Sequence, residues 1–475
     1  MTDLFGDLRS ALHRAPTPDR WEKLADHLLQ WPRARLIEQA LPYVWDHFGR
    51  TEWGALKRPM PQTWGAALHQ HTLPMDLVQL VGEFTCTWAP SLPQAKRWAA
   101  QDWRSLERLG VHAHWSHQVM EALAQASWPA LGSLAFAGKH MDEAKLNALS
   151  TWKLPALHTL DLAGSALDAR TLYALSASGW WAQLERLKIG SRSMSARVLT
   201  QLAEEVHMPR LTHMHVHNWA MDWPSAFSMS HAAWAQTVES LKLSACALGS
   251  DELRALFSSA PPSADPEDRA RDRPHLPRKW PSLRHLDVRS NRLGHAAIMH
   301  LSDMLCLEEL ETLNLSRNAF DAEDLFEDAH VLQRAQSLRA LDLSGNPLGS
   351  SVASMERMQP WGALRHLHMS SISLREVSPL GQSFLRRLRT LDLGSNPFED
   401  NPLRALLADT SPAQWEHLEA LHLPNTQMAR QEVRELLRTL EAPPKLRLVD
   451  LRFNDLSQDL LQQAHPSWSR CVLKI

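Results

Sequence analysis

Apolar residues recur along most of the chain in one eleven-residue pattern. The stretch "LRHLDVRSNRL" from Leu283 shows it clearly, with apolar residues at its first, fourth, sixth and last positions and Asn at the ninth. Within it Leu286, Asp287 and Val288 alternate between apolar and polar, which predicts a short strand with its apolar side chains inward. Eleven such copies begin at Leu157, Leu184, Leu211, Val238, Leu283, Leu310, Leu338, Leu364, Leu388, Leu418 and Leu446.

The segments between the copies predict helices. "SARVLTQLAEEV" at 195–206 is typical, because its apolar residues recur every three or four positions. The copies start 24 to 30 residues apart, except for one interval of 45. One strand and one helix cannot bury their apolar faces alone, so neighbouring units must stack into a solenoid.

The pattern L-x-x-L-x-L-x-x-N/C-x-L resembles that of the leucine-rich repeat family, in the long, helix-containing form of ribonuclease-inhibitor-like proteins. Fainter copies extend it upstream to Leu131, Leu106 and, in the weakest case, Leu77. The resemblance implies an α/β horseshoe of about 12 or 13 repeats, with a parallel concave sheet and outer helices. It also implies a binding scaffold, because this architecture presents strand side chains to a partner.

The ends of the chain and one interruption differ from the repeats. Residues 1–75 predict a helical N-terminal cap, in which Thr17 caps a helix that begins at Pro18. Whether this segment is only a cap or a recruiting domain stays open. The solenoid is expected over 76–475, with a terminal strand near 471–475. The extra residues at about 258–280 are rich in Pro and in both charges, which predicts a flexible surface loop.

Two residue types have fixed places in the repeats. Asn stands at the ninth position in five copies, where its side chain is expected to bond the backbone of neighbouring turns, and Cys246 occupies the same position in another. These asparagines are Asn291, Asn318, Asn346, Asn396 and Asn454. The chain has 20 Trp and 2 Tyr. The Trp slot three residues before the first Leu is expected to close the end of a helix against the next unit. It holds Trp103, Trp128, Trp181, Trp280, Trp361 and Trp415.

Composition excludes several classes of protein. The net charge is −3, so no global charge favours nucleic acid or an anionic membrane. The N-terminus lacks a secretory signal, and no apolar run is long enough to cross a bilayer. The four cysteines are far apart and form no paired motif. We expect a monomeric, cytoplasmic protein without a cofactor.

Stacking the copies places equivalent residues of adjacent strands side by side. His213, His215 and His217 alternate along one strand and would share one face, with Lys188 and Lys242 on either side. Three interpretations stay open: a metal site, an ordinary solvated surface, or a basic, pH-tunable patch for an acidic partner or phosphate. We favour a partner-binding patch over metal, because the flanking groups are cationic. The residues expected to form it are Arg186, Lys188, His213, His215, His217, Lys242, His285 and Arg289.

A second column of residues alternates in charge. Each histidine in it gains two carboxylate neighbours, which should raise its pKa. A metal or acid/base site is conceivable here, although Asp is common at this position in the family. The column consists of Asp342, His368, Asp392, His422 and Asp450.

The sequence therefore predicts a non-enzymatic scaffold that binds a protein partner on its concave strands. Two alternatives are kept: a secreted or host-directed bacterial effector, and a metal-binding or hydrolytic protein that uses the second column. We assign no catalytic residue, because no nucleophile elbow or metalloprotease motif occurs. Neither a membrane nor nucleic acid is expected as a partner.

Overall fold

The computed structural model describes residues 3–136, 141–191, 195–258, 279–302, 304, 306–320, 334–349, 362–377, 386–407, 415–457, 460 and 464–475. The chain divides into two compact units. The first comprises Met1–Met194 and Val206–Leu211, and the second comprises Ser195–Glu205 and Thr212–Ile475. The predicted insertion at about 258–280 falls almost entirely outside the described residues, as does Trp361.

The first unit begins with helices, in agreement with the predicted helical segment. They are α1 Leu4–Leu12, α2 Pro18–Leu29, α3 Arg33–Arg35, a π-helical stretch Leu36–Ala40, α4 Leu41–Arg50 and α5 Gln62–His69. The Thr17 hydroxyl accepts from the backbone N–H of Arg20, so this residue caps α2 as predicted. The buried Arg58 guanidinium donates to the carbonyls of Leu80, Trp53 and Gly54, which ties the helices to the first repeat.

Short parallel strands follow in chain order. The first unit holds β1 Glu83–Cys86, β2 Arg108–Val111, β3 Ser133–Phe136, β4 Thr159–Ala163 and β5 Arg186–Gly190. The second unit holds β6 His213–His217, β7 Ser240–Ser244, β8 His285–Asp287, β9 Thr312–Asn314, β10 Ala340–Asp342, β11 His366–His368, β12 Thr390–Asp392, β13 Ala420–His422, β14 Leu448–Asp450 and β15 Val472–Lys474.

All eleven clear copies of the pattern form strands, and "CVLKI" supplies the predicted last one. Among the described residues, fourteen strands precede it, against the 12 or 13 repeats predicted. The copy placed at Leu77 was wrong in register, because Met75–Leu80 form a 3-10 helix. The first strand lies four residues later, where Val81, Phe84 and Cys86 fill the buried positions and Glu83 pairs with Arg108. The sequence also favours the later register, because the sixth position of the Leu77 register is Gly82, whereas the register that begins at Val81 is apolar at its first, fourth and sixth positions.

Helices follow the strands in each unit. In the described residues they are α6 Leu92–Ala99, α7 His117–Leu123, α8 Glu143–Ser150, α9 Ala169–Ser176, α10 Ala196–Glu204, α11 Trp223–His231, α12 Ser250–Phe257, α13 Gly294–Ser302, α14 Pro402–Leu407 and α15 Arg430–Thr439. Most are capped by Ser or Asp: the Asp168 carboxylate, for example, accepts from the Thr171 amide before α9. Among the described residues no helix is long and apolar enough to span a membrane. The predicted α/β leucine-rich repeat architecture is confirmed within each unit.

Buried asparagine side chains form hydrogen bonds with backbone amides and carbonyls of their own and the neighbouring repeats. Asn318 is 0% exposed. Its amide nitrogen donates to the carbonyls of Val288 (3.0 Å) and Leu315 (2.9 Å), and its oxygen accepts from the Asn291 amide (3.1 Å). Cys246 fills the same slot, with its sulfur 3.4 Å from the Val216 carbonyl oxygen. The predicted structural roles of this slot are confirmed.

Tryptophans close the ends of helices, also as predicted. The indole N–H of Trp280 donates to the carbonyl of Leu256 in the last turn of α12, at 2.9 Å. Trp103, Trp128 and Trp415 make equivalent bonds to Trp98, Leu123 and Leu406. Trp181 is buried in the same slot, but its indole nitrogen has no hydrogen-bond partner among the described residues.

Replacement of Asn318 by alanine tests the asparagine slot. The change leaves the buried backbone amide of Asn291 without its acceptor, at a cost of about 1–3 kcal/mol. It also removes one of the two side-chain donors at the carbonyls of Val288 and Leu315, which keep Asn291 and Asn346 as partners. We therefore expect Asn318→Ala to lower the free energy of unfolding by roughly 3 kcal/mol, measured by urea denaturation followed by circular dichroism. Asn147→Ala, at an exposed position of α8, is the control and should change it by less than about 0.5 kcal/mol. Equal effects of the two changes would contradict this role.

Candidate functional site

The first unit contributes two of the predicted patch residues, Arg186 and Lys188 on β5. Strand pairing sets Lys188 opposite Asp161 of β4, and its Nζ lies 2.8 Å from the Asp161 Oδ2. The positive charge of Lys188 is thus already balanced by a carboxylate. Arg186 lies opposite Thr159 and is exposed.

The three histidines of β6 lie on one face in the second unit, as their alternation predicts. All three are half-buried, while Met214 and Val216 between them are buried. Nδ1 of His213 lies 2.8 Å from the Thr212 hydroxyl oxygen, and the rings of His215 and His217 are 6.0 Å apart. Among the described residues no three His, Cys, Asp or Glu side chains are grouped to hold a metal ion.

Lys242 is one of the exposed cations of the patch within the second unit. It is exposed on β7, opposite His215 on one side and Asp287 on the other. Asp287 instead lies 3.7 Å from the Nε of Arg289 and accepts from its backbone amide at 3.1 Å. Within the described part of the chain, Lys242 has no carboxylate within ion-pair distance.

A depression of about 270 Å³ begins at Lys242 and crosses β7 to β11. Its floor is formed by the strand side chains of five successive repeats. The polar residues that line it are Lys242, His285, Asp287, Thr312, Asn314, Asp342 and His368. Sequence reasoning placed His285 with the basic patch and Asp342 and His368 with the second column, but the structure brings all three to one depression.

The second column is arranged as its register predicts. Asp342 pairs with His368, His368 with Asp392, Asp392 with His422, and His422 with Asp450. Each histidine is closest to the carboxylate of the following strand. The His368 Nδ1 lies 3.6 Å from Asp392 Oδ2, and the His422 Nδ1 lies 3.7 Å from Asp450 Oδ2.

Contacts within the column shift the pKa values of His368 and Asp392. The Asp392 carboxylate accepts from the charged His368 ring and raises the pKa of His368 against the opposing effect of burial, and Asp342 adds to the rise. Burial acts to raise the pKa of Asp392, but the hydrogen bonds from His368 and from the Gly394 amide outweigh it, so that pKa is lowered. The predicted rise for a histidine between carboxylates is confirmed at His368.

The acidic members also hold the turn that follows each strand, a role that sequence reasoning missed. The Asp342 carboxylate accepts from the Ser344 amide at 3.0 Å, and Asp392 accepts from the Gly394 amide at 3.0 Å. Asp450 is 2% exposed and is paired with Arg452 at 2.7 Å. The signal was present in the sequence, because Asp and Asn commonly bond the backbone two residues ahead.

Two of the four cysteines, Cys86 and Cys246, are fully buried. Burial raises the pKa of the Cys86 thiol to about 11 and that of Cys246 to about 12. A thiol with so high a pKa forms little thiolate near neutral pH and is a poor nucleophile. Both therefore serve the core.

The pKa of His368 can be tested by titration. We expect a midpoint above 6.5 in histidine NMR spectra, and Asp392→Asn should lower it by removing the strongest bond to the charged ring. Asp287→Asn, three strands away, is the control and should leave it unchanged. A His368 midpoint that is the same in the wild type and in Asp392→Asn would refute the coupling between these two residues.

The same shifts set a pH dependence of stability. The contribution of His368 is present below about pH 6.5 and is lost as the pH rises through its raised pKa. The contribution of Asp392 is present above about pH 4 and is lost as the pH falls through its lowered pKa. Burial, with nearby His368 and Arg389, lowers the pKa of His366, which works against the first of these effects.

Comparisons with known proteins agree with this geometry. A family model described as "Leucine Rich repeat" matches residues 334–351. Mouse ribonuclease inhibitor is 31% identical over 182 residues, covering 36% of this chain and 40% of that protein. Mouse podocan-like protein 1 is 30% identical over 147 residues, covering 31% and 24%. The matches thus span less than half the length of these relatives.

The solved structures that match this chain include the complex of Rad7 and Elc1 in yeast. The match covers 99% of this chain and 93% of the matched chain, with a TM-score of 0.45 and 13% sequence identity. The mouse RP105/MD-1 complex covers 84% and 63%, with a TM-score of 0.43 and 13% identity. The repeated pattern, the parallel strand that each clear copy forms and the sequence matches lead to one conclusion: the chain is a leucine-rich repeat protein with helix-containing, ribonuclease-inhibitor-like repeats.

Proposed function

We propose that this protein binds a protein partner on the exposed face of its strands, without catalysis, and that the depression across β7 to β11 is the centre of contact. The observation that carries the proposal is the depression itself. It is broad and shallow, and side chains from five successive strands line it. Such a surface suits a protein better than a small molecule, which needs a deeper, more enclosed pocket.

The charges of the depression indicate the chemistry of the partner. Lys242 has no carboxylate within ion-pair distance among the described residues, and Asp342 has no cation within that distance in the same set. Adjacent strands lie about 4.8 Å apart, so these two charges stand roughly 14 Å from each other, three strands apart. We expect a partner that places an acidic group at Lys242 and a basic group at Asp342.

The backbone of this face is held in advance of binding. Strand pairing is continuous from β6 to β15, and the buried asparagines fix the turns beside it. A preformed surface loses little conformational entropy when it binds. The residues Arg186 and Lys188 of the first unit and the histidines of β6 are proposed as additional contacts.

Charge reversal at Lys242 tests the proposal. A partner is first captured by the wild-type chain, identified and purified, and its affinity is then measured by calorimetry. Lys242→Glu places like charges together, so we expect binding to weaken at least about tenfold. Asp342→Lys should weaken binding to a similar extent, because the new lysine would repel the basic group that the partner places there.

Lys96→Glu is the matched control, because Lys96 is exposed on helix α6, away from the strand face. It should leave the affinity unchanged. Circular dichroism of each variant checks the fold. A partner bound equally by the wild type, Lys242→Glu and Asp342→Lys would show that the strand face is not the binding site.

A further inference from the structure

A second, separate pocket lies in the second unit where strands β11 to β14 begin. It has a volume of about 180 Å³ and is lined entirely by charged or ionisable side chains. We call it the edge pocket. Its residues are Arg365, Arg387, Arg389, His417, Glu419 and Lys445.

Repeat register brings these residues together. Each stands directly before or after the first Leu of a repeat, and the backbone joins them from one repeat to the next. The Arg389 amide donates to the Arg365 carbonyl at 2.7 Å, and the Glu419 amide donates to the Arg389 carbonyl at 2.8 Å. Residues far apart in sequence thus form one continuous row at the edge of the strands.

The edge pocket carries an excess of positive charge. Three arginines and a lysine face a single carboxylate, Glu419, which lies 3.6 Å from the Nη1 of Arg389. Arg365 and Arg387 each donate to the same carbonyl, that of Gly362, at 3.0 Å. Two guanidinium groups are thereby held close together, and neither has a carboxylate partner in the part of the chain that the structure describes.

Two histidines lie beside these cations. The Nζ of Lys445 lies 3.1 Å from Nδ1 of His417. His366 follows Arg365, and its pKa is lowered by burial first and then by His368 and Arg389. Cations assembled in this way repel one another, and a bound anion relieves that repulsion.

We propose that the edge pocket binds a single phosphate group, either free phosphate or the phosphate monoester of a modified peptide. A planar guanidinium group donates two parallel hydrogen bonds to a pair of phosphate oxygens. The positive charge is confined to a few repeats, because the equivalent arginines of earlier strands are already paired. Arg339 lies 3.6 Å from Glu311, and Arg284 lies 2.6 Å from Glu309. A nucleic acid would require a longer basic track.

The test is calorimetric titration of the full chain with three probes. These are inorganic phosphate, a phosphoserine peptide with its unphosphorylated form as blank, and a single-stranded oligonucleotide. We expect one phosphate or phosphopeptide per chain. Arg387→Ser/Lys445→Ser should weaken that binding about tenfold or more by removing two donors, whereas Glu419→Gln should strengthen it by removing the one negative charge. Arg375→Ser, at an exposed arginine paired with Glu399, is the control and should have no effect.

The relative affinities of phosphate and phosphopeptide identify the source of the bound group. The proposal is overturned if neither binds, if the double variant binds as well as the wild type, or if Glu419→Gln weakens binding. Tighter binding of the oligonucleotide at the same residues would also overturn it, in favour of a polyanion site. Urea denaturation of each variant separates lost binding from lost fold.

Discussion

The buried side-chain amide at the ninth position, present in five of the eleven clear repeats, is the interaction on which the rest of the structure depends. A chain that turns after every strand leaves backbone amides and carbonyls inside the stack, and each must find a partner there. Asn396 accepts from the amides of Ile372 and Leu374 and donates to the carbonyls of Met369 and Leu393. One side chain therefore joins two repeats. Because this bond recurs, strand positions stay aligned from repeat to repeat.

That alignment explains why so much could be predicted from the sequence. Once the first Leu of each copy is identified, strand pairing follows, and so do the neighbours on the exposed face. The pairing of His368 with Asp392 and of His215 with Lys242 required no other information. The exception is the copy near Leu77, where the register that begins at Val81 fits the apolar pattern better and is the one that pairs with the next strand.

Side-chain contacts were harder to predict than side-chain positions. Lys188 was expected to contribute charge to a basic patch, yet it lies beside Asp161 on the preceding strand. Sequence reasoning considered the histidine neighbours of Lys188 and gave less weight to that carboxylate. The edge pocket was missed for a different reason: its residues belong to positions that vary between repeats, and their clustering appears only when several repeats are stacked.

The turn bonds of the acidic strand residues divide the exposed face into two classes of position. Where Asp or Asn occupies the strand centre, as at Asp342 and Asn314, the side chain also holds the turn two residues later. Lysine at that place, as at Lys242, carries only hydrogen-bond donors and cannot accept from the turn amide. A substitution at a position of the first class therefore also removes a turn bond of the scaffold. A substitution at a position of the second class changes only the side chain that a partner contacts. Diversification of binding in such a chain would be concentrated on the strands centred on lysine and histidine.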